Sequence, residues 1–177
     1  SIERGKSRDA GVIYGEFALA SEQYEGPQSG LALCREGVEF CERRGVSEVG
    51  LAIASFAPLY LTDLGRCEEA LVETASLAER AEATGNIPAH ITARSLELRL
   101  LAHRGEKPQS TAAERLAELA SSTGVPWEIG FGLGAAAQHL LAAGRLERAE
   151  SLLHELAQVE GVLASYSLLP ELVRCAV

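Results

Sequence analysis

The run GFGLGA, Gly130 to Ala135, has the G-x-G-x-x-A spacing with which a tight backbone turn sets a dinucleotide pyrophosphate on a helix N-terminus. That chemistry needs a strand before the run and a helix beginning at it. Here Gly124 and Pro126 come just before, and Glu128, Ile129 and the residues that follow keep the register of a helix already under way. The expected role is therefore helix packing through small residues, not nucleotide binding. Cys34, Cys41, Cys67 and Cys175 could in principle hold a soft metal or form a disulfide. They show no C-x-x-C spacing and no accompanying histidine pair, which argues against zinc. Cys34 and Cys41 lie seven residues apart on one helical stripe, a rise of about 10.5 Å, too far for a disulfide within one straight helix. Core thiols are expected. His90, His103, His139 and His154 share no spacing, as suits surface or interhelix residues. Carboxylates such as Glu68, Glu69 and Glu73 sit at helix starts, where negative charge complements the helix dipole. Neither a Ser/His/Asp set nor a phosphate loop can be assembled, so the expectation is a chain with no catalytic residues, no cofactor and no metal, and hence not an enzyme.

The elements that would position these groups are marked out by glycine. Gly26, Gly65, Gly105 and Gly144 recur at intervals of 39, 40 and 39 residues, and Gly45, Gly85, Gly124 and Gly161 interleave at 40, 39 and 37. Two interlocked series with a period near 40 predict helical hairpins stacked as a solenoid. The expected fold is all-α: a right-handed α-solenoid of about four hairpins plus a partial terminal helix. Its units run over about 9–45, 46–85, 86–124 and 125–161, with a partial unit at 162–177, all within one repeat domain spanning 1–177. The first, or A, helices span about Asp9 to Tyr24, Glu48 to Leu64, Ala89 to His103 and Trp127 to Ala143. They are apolar on most sides and should be covered on most sides. The second, or B, helices show narrower stripes at helical spacing. These are Leu31, Cys34, Val38 and Cys41; Leu71, Ala75 and Ala78; Ala113, Leu116, Ala117 and Ala120; and Ala149, Leu152, Leu153 and Leu156. Pro88, Pro108 and Pro126 fall where a first turn tolerates a missing N–H. Pro58 falls inside the second A helix and predicts a kink, with a break into two short helices at Phe56 to Pro58 as the alternative.

Composition narrows the possible partners. Aromatics make up 5% of the 177 residues while Ala and Leu dominate, which favours helix-on-helix packing over a sheet. The net charge of −9 would repel phosphate backbones and anionic lipid, so neither nucleic acid nor membrane is expected as a partner. No apolar run approaches the length of a membrane span, and the expected location is the cytoplasm. The chain opens on Ser1 and contains no Met, as expected of a piece of a longer protein. Its basic residues are nearly all Arg, resembling coding from a high-GC bacterium.

The segments LGRCEEAL, Leu64 to Leu71, and AGRLERAE, Ala143 to Glu150, resemble the turn of tetratricopeptide-type repeats. In both, a glycine is followed five residues later by the small Ala on which two helices cross. The unit here is about 40 residues rather than 34, and Ser110 stands where the third unit would carry that Ala. The runs RRGVSE, AERAEATGN and YSLLPELVRCAV are similar to repeat regions of multidomain bacterial signalling proteins. In these, an AAA-like ATPase is coupled to a class III nucleotidyl cyclase or to a LuxR-type DNA-binding domain. The resemblance implies a non-catalytic scaffold or protein–protein interaction module in signal transduction, binding a protein, a peptide or neighbouring domains of its parent. The alternative is a small-molecule effector-sensing domain that regulates an attached output domain. Polar and aromatic A-helix residues are the candidate contacts: Glu16 and Gln23; Thr92, Ser95 and Arg99; and Phe131 and Gln138.

Overall fold

The computed structural model describes residues 2–106 and 110–159, and among them there is helix and no strand. In chain order the helices are α1 (Ile2–Glu25), α2 (Pro27–Arg44), α3 (Ser47–Ala54), α4 (Ala57–Asp63), α5 (Cys67–Thr84), α6 (Ile87–His103), α7 (Ser110–Thr123), α8 (Pro126–Ala142) and α9 (Leu146–Ala157). None of the described helices is long and apolar enough to cross a membrane. Where both flanks are described, the connections hold only one to three residues, so each helix must turn directly onto a neighbour.

Those reversals use the glycines of the two series. Gly26, Gly45, Gly65, Gly85, Gly105, Gly124 and Gly144 all have positive φ, where a side chain would be strained. Gly161 lies outside the described residues, as do Pro108, Cys175 and the partial terminal helix. At Gly45, Gly65, Gly85, Gly105 and Gly144 the preceding helix is closed by the same two bonds: the glycine N–H reaches back three residues and the next N–H reaches back five. At Gly144 these are Gly144 N–H to Leu141 O and Arg145 N–H to Leu140 O, both 2.9 Å. This Schellman arrangement satisfies carbonyls that a helix end otherwise leaves open.

At Pro58 the structure has the break, not the kink. Helix α3 stops at Ala54 and α4 starts at Ala57, while Ser55 and Phe56 stay right-handed in a tighter turn. Phe56 N–H bonds Ile53 O, three residues back, at 3.1 Å. Pro58 thus enters the first turn of α4, where no intrahelical donor is lost.

The chain divides into two compact units, one ending at Ala93 and the other beginning at Arg94, with the division inside α6. In the first, α1 packs along α2, α2 on α3 and α4, and α4 on α5. The α1–α2 approach depends on missing side chains. A Cβ on Gly30 would lie 2.8 Å from Glu22 Cβ and 3.1 Å from the Ala18 carbonyl oxygen, and one on Gly37 would lie 2.8 Å from Tyr14 Cβ. Cys34 and Cys41 are both buried, as expected of core thiols. The Cys34 thiol donates to Ile53 O at 3.0 Å, and burial, aided by the Glu73 charge, pushes its pKa up to about 12. On α5 the predicted stripe of Leu71, Ala75 and Ala78 holds only at Ala78. Leu71 is half-buried, Ala75 is exposed, and the buried residues are Ala70, Thr74, Leu77, Ala78 and Ala81. Thr74 can take a core position because its hydroxyl donates to Ala70 O at 2.6 Å. Two ion pairs join α2 to α5, Arg35 to Glu73 at 3.0 Å and Arg80 to Glu42 at 3.6 Å. Both span 38 residues, so the two helices run in the same direction.

In the second unit α8 packs against α7 and α9. Ala113, Leu116, Ala117 and Ala120 of α7 are all buried, as are Ala149, Leu152, Leu153 and Leu156 of α9, both stripes as read from sequence. Helix α8 buries ten residues, including Gly130, Gly132 and Gly134, and so is covered on most sides. Arg148 on α9 holds Glu114 on α7 through its Nε and Nη2 atoms at 2.7–3.0 Å. Ser121 donates to Glu155 at 2.8 Å with the same offset of 34 residues.

Gly30→Ala should destabilise the fold by about 1–3 kcal/mol, because one of the atoms it meets is backbone and cannot swing aside. Urea unfolding followed by circular dichroism measures it; an unchanged midpoint would mean that α1 and α2 are not held this closely. A brief pulse of thiol reagent at pH 8 should modify half-exposed Cys67 and spare Cys34 and Cys41, read by peptide mass spectrometry.

Candidate functional site

The seven expected contact residues have different fates. Glu16 and Gln23 are exposed on α1, and Thr92 is half-exposed on α6 with its hydroxyl given to Pro88 O at 3.0 Å. Ser95 is 0% exposed, and its Oγ has no hydrogen-bond partner among the described residues. A side chain wholly inside cannot touch a partner, so Ser95 is a packing residue. The other three, Arg99, Phe131 and Gln138, come together in the second unit.

Pro126 opens α8 and places Trp127 in its first turn, and the helical spacing of four residues then sets Phe131 over it. The two ring centroids are 4.8 Å apart with planes tilted by 39°. From α6, Arg99 lays its guanidinium over the Phe131 ring, 5.2 Å from its centroid. Trp127 is 57% exposed, so the stack ends in solvent. Farther along α8, Arg99 and Gln138 line a cleft of about 350 Å³ together with His103, Leu141 and Leu146. Flat apolar surface beside fixed N–H donors suits an aromatic or aliphatic side chain that carries a carbonyl or carboxylate. Trp127 and His103 join this surface although neither is among the seven expected contacts. The signal for Trp127 was present: it is the chain's single Trp, four residues before Phe131.

Beneath this surface His139 is 1% exposed. Its Nδ1 lies 3.3 Å from Leu98 O, an atom that can only accept, so Nδ1 carries the proton. Nε2 has no partner among the described residues, and burial pushes the imidazole pKa below its ordinary 6.5. GFGLGA lies wholly inside α8, so it has neither the strand before it nor the helix start that a pyrophosphate site requires. Among the described residues no group of three or more His, Cys, Asp or Glu is placed to hold a metal ion. Compared with protein-family models, with curated proteins and with solved structures, the chain finds no match.

Because the unfolded chain takes up a proton on His139 near pH 6.5 and the fold resists it, the stability from this group is complete above pH 6.5. It is lost as the pH falls below that value. Urea midpoints between pH 8 and pH 5 should therefore decline more steeply for the parent than for His139→Leu. Equal slopes would mean that the buried imidazole titrates as freely as an unfolded one.

Proposed function

We propose that this chain is a non-catalytic protein-interaction module, a right-handed TPR-like solenoid that binds a protein or peptide through its A helices. The observation that carries the reading is exposed Trp127 against Phe131, with Arg99 over the Phe131 ring, beside the Gln138 cleft. Trp and Arg anchors dominate the energetics of protein interfaces, and a soluble surface rarely keeps a Trp open to water without use for it. Support for the repeat comes from the two segments that resemble tetratricopeptide turns. Gly65 and Gly144 have φ of 73° and 71°. The residues after them, Arg66 and Arg145, have φ, ψ of −91°, 52° and −91°, 63°. Ala70 and Ala149, five residues past each glycine, are both 0% exposed. The constant offsets between α2 and α5 and between α7 and α9 are also those of B helices in successive repeats.

On the resemblance of the repeat region, the module serves a bacterial cytoplasmic signalling protein, reporting the bound state to an attached ATPase and output domain. The effector-sensing alternative would use the same cleft, where Arg99, His103 and Gln138 converge on about 350 Å³. A pull-down with this chain as bait, followed by calorimetry on the captured partner, tests the interaction reading. A thermal-shift panel of metabolites tests the other.

Arg99→Glu, Phe131→Ala and Trp127→Ala should each weaken partner binding by about 1–2 kcal/mol or more, with melting temperature as the fold control. Glu73→Lys, on a B-helix surface, should cost little. If Glu73→Lys abolishes binding and the other three bind like the parent, binding runs through the B helices and not through these A-helix residues.

A further inference from the structure

Helix α1 leaves a broad apolar face open. Its buried residues Gly11, Gly15, Ala18 and Ser21 form one stripe against the rest of the unit, while Ile13, Phe17, Ala20 and Tyr24 form a second at spacings of four, three and four. Ile13 is 66% exposed, Phe17 62% and Tyr24 88%. Phe17, Ala20 and Tyr24, together with Ala32 and Leu33 of α2, bound a groove of about 510 Å³. An apolar stripe with helical spacing is the shape one helix offers another. From Ile13 to Tyr24 it runs about 16.5 Å, enough for three turns of a partner.

Charge decides which kind of helix fits. Glu25 and Glu36 line the groove, and among the described residues no Lys or Arg does. One Glu25 oxygen accepts bonds from the hydroxyls of both Ser21, at 2.9 Å, and Ser29, which fix the carboxylate beside Tyr24. Glu36 accepts from the Tyr14 hydroxyl at 3.0 Å. Neither has a cationic partner among the described residues: of the α2 arginines, Arg35 pairs with Glu73, Arg43 with Glu39, and Arg44 lies over the Phe40 ring. A second copy of the chain would bring the same two carboxylates, and a net charge of −9, to the contact.

We propose that the α1–α2 groove docks an amphipathic protein helix whose apolar stripe is flanked by Lys or Arg, its apolar side chains between Phe17 and Tyr24 and its cations at Glu25 and Glu36. The site uses neither Arg99 nor Phe131, so it stands or falls separately from the α6–α8 surface.

The probe is a fluorescein-labelled helical peptide of about 18 residues, with leucines at one stripe and lysines elsewhere. The comparison peptide carries glutamates in place of the lysines, and anisotropy reads binding. The lysine peptide should saturate and the glutamate peptide should not. Glu25→Gln with Glu36→Gln, and separately Phe17→Ala with Tyr24→Ala, should each weaken binding about tenfold. Glu118→Gln with Glu147→Gln makes the same change in net charge at exposed positions of α7 and α9 and should leave affinity within about twofold. Arg99→Glu should bind like the parent. The proposal is overturned if the two peptides bind alike, if the Glu118/Glu147 pair loses as much as the groove pairs, or if the lysine peptide does not bind. Sedimentation showing a dimer that Phe17→Ala with Tyr24→Ala dissolves would assign the groove to a second copy and overturn it as well.

Discussion

A helix can end and reverse within two or three residues only if its last carbonyls find donors and one residue turns left-handed. Both conditions are met by a glycine whose own N–H, and that of the residue after it, fold back onto the helix just finished. Among the described residues five turns use that pair of bonds, and seven glycines carry the positive φ. The connections are short because these turns close them, and short connections oblige consecutive helices to bury their stripes against each other. The packed stripes of α2, α5, α7 and α9 follow from this.

Helix α8 shows what packing must then supply. Three interior glycines make it a poor helix alone, each less favourable than Ala by roughly 0.8–1.0 kcal/mol. It is helical because most of its circumference is covered, and all three of those glycines are buried. Between α1 and α2 the close approach is explicit: Gly30 and Gly37 face atoms that leave no room for a methyl group. A sequence so rich in Ala and Gly and so low in aromatics builds its core from many close backbone approaches rather than from a few large side chains.

Helix content and the punctuation by glycine were legible because both depend on local rules. The α7 and α9 stripes were legible because polar residues surround them on the sequence wheel. The α5 stripe was not, since Thr74 reads as polar until its hydroxyl is seen bonded within its own helix, and the register then moves off Leu71 and Ala75. At Pro58 sequence offered two outcomes, and a single tight turn through Ser55 and Phe56 decided between them. Of the candidate contacts, Arg99, Phe131 and Gln138 converge in one unit, while Ser95, one turn before Arg99, is enclosed. One turn of helix separates an accessible side chain from an inaccessible one, and periodicity alone does not say how far the cover extends.

The two ion pairs between α2 and α5 are too exposed to add much stability, yet their order along the helices has a further effect. On α2 the cation comes first, at Arg35, and the anion seven residues later, at Glu42; on α5 the order is reversed, Glu73 then Arg80. Sliding one helix past the other by seven residues in one direction would set Arg35 against Arg80, and in the other would set Glu42 against Glu73. The pairs therefore work as a key: they discriminate among alignments that the smooth Ala and Leu surfaces beneath would tolerate almost equally.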